Sequence, residues 1–123
     1  SSGNPASISQ AAAVAAFTGP QDFLLDWRER FRARRDMVVA SINAIPGLST
    51  PVPDGAFYCM IDAAPLLMGR FGDDGALCLH LLESGVAVVP ATAFGGRDGF
   101  RISFAADDAK LTEAVRRIAA AVA

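Results

Sequence analysis

Residues 99–105, GFRISFA, read with a period of two: Phe100, Ile102 and Phe104 fall on one face, and Arg101, Ser103 and Ala105 on the other. The apolar face marks a strand laid on a core. The arginine in the middle of its opposite face must reach water, meet an anion, or carry the cost of an unpaired buried charge.

Working outward, VAVVP (86–90) reads as a second strand, and GAFYCMID (55–62) as another, with Phe57, Cys59 and Ile61 on one face and Ala56, Tyr58 and Met60 on the other. So apolar a run is expected to be buried on both sides. Between them AAPLLMGRFGDD is irregular or partly helical, and GALCLHLLESG is a helix from about 75 to 84, closed by Gly85. After the third strand, DDAKLTEAVRRIAAAVA is a terminal helix with Asp107 as cap and Leu111, Val115, Ile118 and Val122 as its buried stripe.

Towards the N-terminus, Asn4 and Pro5 read as the cap and first residue of an alanine-rich helix that ends at TGP (18–20). A second helix runs from Pro20 to about Ile45, where PGLSTPVPDG stops it. Leu24, Trp27, Phe31, Val38, Ile42 and Ile45 form its apolar stripe, interrupted at Arg34 and Arg35. The order of elements predicts an α+β fold, a short sheet of about three strands covered by helices, with no internal repeat or linker to divide residues 1–123.

The 123 residues suffice for one core, and 52% of them are hydrophobic but only 8% aromatic. Mean hydropathy is +0.33, high for a small domain, so the chain is either alanine-packed or keeps part of its surface for a partner. A net charge of −2 gives no pull toward nucleic acid or an anionic membrane. The run RERFRARRD (28–36) interleaves arginine with acids and reads as a solvated helix face. No apolar stretch is long enough to span a bilayer. Cys59 and Cys78 are expected to be reduced and packed, as in a cytoplasmic protein. The N-terminus resembles no signal peptide and lacks an initiator methionine, which suggests a piece of something longer.

Few residues offer chemistry. His80 is the single histidine, on a helix among leucines, and reads as a surface side chain. The pairs Asp73–Asp74 and Asp107–Asp108 occupy turn and cap positions. FGGRDGF (94–100) lacks phosphate-loop spacing. Arg101 remains: its fork matches a carboxylate, which lysine cannot imitate, and the glycines before it allow close approach. On the residues alone, a ligand-binding role and an edge-strand surface role both stay open.

The ordered segments NPASISQAAAVAAFTGPQDF, FRARRDMVV, PDGAFYCMID, LLESGVAVVPATAFG and FRISFA together resemble the C-terminal part of class I aminotransferases, which use pyridoxal phosphate, and among these the aspartate aminotransferases. The resemblance covers nearly the whole chain. It implies the small domain of a fold-type-I enzyme, including the long helix entering it, with the large, cofactor-anchoring domain absent. It implies further that Arg101 grips the substrate α-carboxylate, that Phe57 lines the pocket, and that the parent is a homodimer exchanging an amino group between an amino acid, aspartate foremost, and a 2-oxo acid. No catalytic residue is then expected in this chain, because Lys110, its single lysine, lies outside any matching motif. The isolated chain is expected to be inactive. One departure is Ala91, where the family often has glycine. The rival reading is a non-enzymatic binding or oligomerisation module in which Arg101 is structural.

Overall fold

The computed structural model describes residues 3–123, which divide into two compact units with the boundary between Arg30 and Phe31. Helix α1, Ser7–Thr18, lies wholly in the first, and α2, Phe23–Asn43, runs from the first into the second.

In the first unit α1 begins two residues later than Pro5. Gln10 N donates to Ala6 O at 3.0 Å, so the helical ladder closes on Ala6, while the Gln10 side-chain amide holds Pro5 O at 2.7 Å. Asn4 is therefore not the cap. Gly19 N–H takes Ala15 O at 2.9 Å, and Pro20, without an N–H, cannot continue the ladder. α1 buries none of its residues. Three-residue turns, Leu24 N to Gln21 O and Leu25 N to Asp22 O, delay the start of α2 to Phe23.

The second unit is built on a three-stranded antiparallel sheet of β1 (Tyr58–Asp62), β2 (Val89–Pro90) and β3 (Gly99–Ser103), ordered β1-β3-β2. The GFRISFA segment is thus the central strand. Around it stand α3 (Ala64–Leu66), which runs into a π-helical turn at Leu67–Phe71, then α4 (Asp74–Glu83), a 3-10 turn at Ala91–Phe94, and α5 (Asp108–Val122). The α+β class stands as expected.

One face of the sheet carries the core. Cys59 and Ile61 of β1 and Phe100 and Ile102 of β3 are buried with Phe104, Ile42, Leu77, Leu81 and Ile118. The stripe Leu111, Val115, Ile118 and Val122 of α5 is buried as its spacing requires. Asp107 caps α5 by accepting Lys110 N at 2.9 Å, and Asp73 caps α4 by accepting Ala76 N at 2.7 Å. Arg34 Nε reaches Asp108 at 2.6 Å and ties α2 to α5.

Three expectations need correcting. The stripe of α2 is buried only in its second half, at Val38, Val39 and Ile42 with Ile45 just beyond the helix, while Phe31 is half-buried and Leu24 and Trp27 are exposed. β1 is buried on one side alone, because helices cover only one face and Met60 and Asp62 stay exposed on the other. VAVVP supplies only two ladder residues. Gly85, at φ 81°, donates to Leu82 O and Val86 to Leu81 O, a pair of bonds that closes α4 and commits the Val86 N–H to the helix instead of the sheet.

Candidate functional site

The face of the sheet turned away from the core holds the arginine. Cross-strand register aligns Met60, Arg101 and Val89 in one row across the three strands, with Tyr58 opposite Ser103. Tyr58 is therefore the diagonal neighbour of Arg101 on the same face, a distance an aromatic side chain covers. Its ring centroid lies 4.1 Å from Arg101 Cζ. From the other side, the 3-10 turn that follows β2 places Phe94 with its centroid 3.9 Å from the same atom. The half-buried guanidinium is thus stacked between two rings that arrive from opposite flanks of β3.

No carboxylate among the described residues pairs with Arg101. Its surroundings are apolar and open, since Met60, Val89 and Phe94 are all partly exposed beside it. A guanidinium whose flat faces are covered keeps its edge, where the N–H donors lie, for a planar acceptor. That arrangement suits two parallel hydrogen bonds to a carboxylate.

Phe57, the other residue singled out from the sequence, sits one position before β1 and is 40% exposed, unlike Cys59 and Ile61. Its carbonyl accepts Phe104 N at 2.9 Å, and its ring packs on Tyr58 at 4.6 Å and nears Phe31 at 6.2 Å. The structure brings Phe57 and Arg101 into one aromatic cluster, with Tyr58 between them.

Sequence reasoning missed Tyr58 and Phe94, because neither the strand register nor the path of the 91–94 turn is written in local periodicity. It also assigned Asp74 to plain turn chemistry. Asp74 is 5% exposed and accepts both Thr92 N at 3.0 Å and Thr92 Oγ1 at 3.2 Å, pinning the turn that carries Phe94 to the start of α4. Ala91 opens that turn buried and without positive φ, so no glycine is needed there.

The remaining candidates have structural places. His80 is only half exposed: its Nε2 lies 3.0 Å from Ala121 O and its ring packs on Phe71, so it joins α4 to α5. Cys59 and Cys78 are free and buried. Burial, assisted by the nearby Asp74 charge, raises the Cys78 thiol to about 11, so it is no nucleophile at neutral pH. Lys110 is exposed and 3.4 Å from Asp107, its own helix cap. A groove of about 640 Å³ lies along α5, lined by Val86, Ile102, Leu111 and Ala114, but it excludes Arg101, and its Glu113 and Arg117 are bonded to each other at 2.8 Å. Among the described residues no cluster of His, Cys, Asp or Glu is able to hold a metal, and no helix is long and apolar enough to cross a membrane.

Comparison with known proteins completes the picture. Residues 1–118 match the family described as aminotransferase class I and II. The aspartate aminotransferase of Rhizobium meliloti strain 1021 is 52% identical over 124 residues, which cover 95% of this chain and 30% of that protein. A crystal structure of the aspartate aminotransferase from Rhizobium meliloti superposes with a TM-score of 0.91 at 50% identity, over 96% of this chain and 31% of the other. An alanine aminotransferase from Pyrococcus furiosus gives 0.89 at 33% identity, over 96% and 30%. The chain therefore spans about a third of the length of the relatives it matches.

Proposed function

The chain belongs to the class I and II aminotransferase family, and from that premise we propose that residues 1–123 are the small, C-terminal domain of an aspartate aminotransferase-like enzyme in which Arg101 binds the substrate α-carboxylate. The parent exchanges the amino group of an amino acid, aspartate foremost, with a 2-oxo acid. It acts as a homodimer in the cytoplasm, a setting in keeping with two free, buried thiols.

One observation carries the reading: Arg101 is held on an open sheet face, stacked between Tyr58 and Phe94, and no carboxylate among the described residues satisfies it. An arginine whose role was structural would be expected to bond an internal acid or carbonyl. The likeness to one protein named for aspartate and another named for alanine supports the α-carboxylate as the group recognised, since their amino acids share it and differ in side chain.

Pyridoxal phosphate, which the family implies, supplies the electron sink for amino transfer when bound. The residues of this chain do not fit it: the one lysine is exposed and paired with the cap of α5. The cofactor would be held by parts of the complete enzyme outside residues 1–123, and no step through it is assigned to these residues. Their share is to bind the carboxylate by Arg101, to line the pocket by Phe57, and to exclude water by closure of the domain onto the bound substrate.

The test is Arg101→Lys in the complete enzyme. It is expected to lower kcat/KM about 10- to 100-fold, chiefly through KM, for dicarboxylic and monocarboxylic amino acids alike. A loss confined to one class assigns Arg101 to the side chain instead and overturns the reading.

A further inference from the structure

Arg101 alone does not explain how a long, flexible side chain presents its donors in one direction. Four rotatable bonds give it many orientations, and a fork grips a planar acceptor only when both lie in nearly one plane. No hydrogen bond or ion pair within the described chain fixes the guanidinium. Among the described residues, the groups set against it are the two rings, at 4.1 Å and 3.9 Å from Cζ.

We propose that Tyr58 and Phe94 are positioning residues that clamp the two faces of the Arg101 guanidinium, so that its N–H edge alone is offered to an incoming carboxylate. The proposal rests on the reading of Arg101 as the carboxylate fork and assigns the orientation of that fork to named neighbours. Each jaw of the clamp has its own support. Tyr58 stands on β1, backed by the Phe57 ring at 4.6 Å, which gives Phe57 a part in the same device. Phe94 stands on the 91–94 turn, which the buried Asp74 holds through the two hydrogen bonds of Thr92.

The two jaws therefore come from elements fixed independently of each other, on either side of the central strand. Stacking serves this purpose where a salt bridge would not. A bound acid would compete with the substrate for the same N–H donors, whereas a ring occupies only the flat face and leaves the edge free.

The experiment compares Tyr58→Leu, Phe94→Leu, Arg101→Lys and the double variants Tyr58→Leu/Arg101→Lys and Phe94→Leu/Arg101→Lys in the complete enzyme. Each leucine variant is expected to raise KM for aspartate and for a monocarboxylic amino acid about 3- to 30-fold with a smaller change in kcat. Tyr58→Phe and Phe94→Tyr, which keep a ring, are expected to stay within about twofold of the parent. In the Arg101→Lys background, where no planar cation remains, the leucine substitutions are expected to add almost nothing.

Two results overturn the clamp while leaving the carboxylate reading intact. One is unchanged KM in both leucine variants alongside a strong Arg101→Lys effect. The other is full additivity in the double variants, the mark of a general packing defect. An Arg101→Lys enzyme with unaltered KM overturns both.

Discussion

The first thirty residues and the remainder differ less in apolar content than in what their apolar side chains find. In the first unit Ile8 is 83% and Phe17 87% exposed, and Leu25 and Trp27 are largely so. In the second, Phe100, Phe104 and Ile118 meet one another on a sheet and are buried. Helix propensity explains the difference: α1 is rich in alanine and needs no neighbour to satisfy its backbone, whereas a three-stranded sheet needs a covered face. The first unit thus carries apolar side chains that no other side chain of its own unit buries.

The comparison is broken most directly by cutting phenylalanine from each side. Phe100→Ala removes a fully buried ring from the central strand and is expected to lower the unfolding free energy of the chain by about 3–5 kcal/mol. Phe17→Ala is expected to stay within about 0.5 kcal/mol. Urea titration followed by far-UV circular dichroism reads both. A Phe17 loss approaching that of Phe100 would mean that the exposed helix is covered in solution.

Glycine gives the next contrast. At Gly99 an added methyl group would run into the Ile61 carbonyl of β1, part of the backbone and unable to swing aside. Gly99→Ala is expected to cost about 1–3 kcal/mol through overpacking. Gly3 has open space where its methyl would go, so Gly3→Ala is expected to leave the melting temperature unchanged. Equal shifts in the two variants would remove the distinction between a strand glycine with a close neighbour and a glycine with open space beside it.

Much of the second unit was legible in the sequence, and the reasons are local. The period of 3.6 in Leu111, Val115, Ile118 and Val122, and the aspartate placed before it, are signals one helix carries by itself. The alternation of Phe100, Ile102 and Phe104 is equally self-contained. What escaped depended on distant partners. Leu24 and Trp27 share a stripe with Val38 and Ile42, yet periodicity does not say how far along a helix the core extends. The same holds at the site. Arg101 stood out as a charge in a strand, but its stacking on Tyr58 follows from the register of β1 on β3, and its contact with Phe94 from a turn pinned by Asp74. A helix C-terminus likewise took the Val86 N–H that strand reading had given to β2.

The smallest effect separates the regions by acid. α1 has no ionisable side chain, whereas in α5 Glu113 accepts from Arg116 at 2.7 Å by both carboxylate oxygens and from Arg117 at 2.8 Å. Those bonds, Arg116 first and Arg117 next, bring the Glu113 carboxyl from 4.5 down to about 2. A carboxyl depressed in the folded state adds stability above its unfolded value and gives it up as pH falls toward its folded one. The stability difference between the parent chain and Glu113→Gln is therefore expected to be constant above about pH 4.5, to shrink steadily below it, and to vanish near pH 2. Arg116 is largely and Glu113 and Arg117 partly solvent-exposed, so salt is expected to reduce the difference at neutral pH as well. A difference independent of both pH and salt would show that Glu113 acts through packing on α5 and not through its charge.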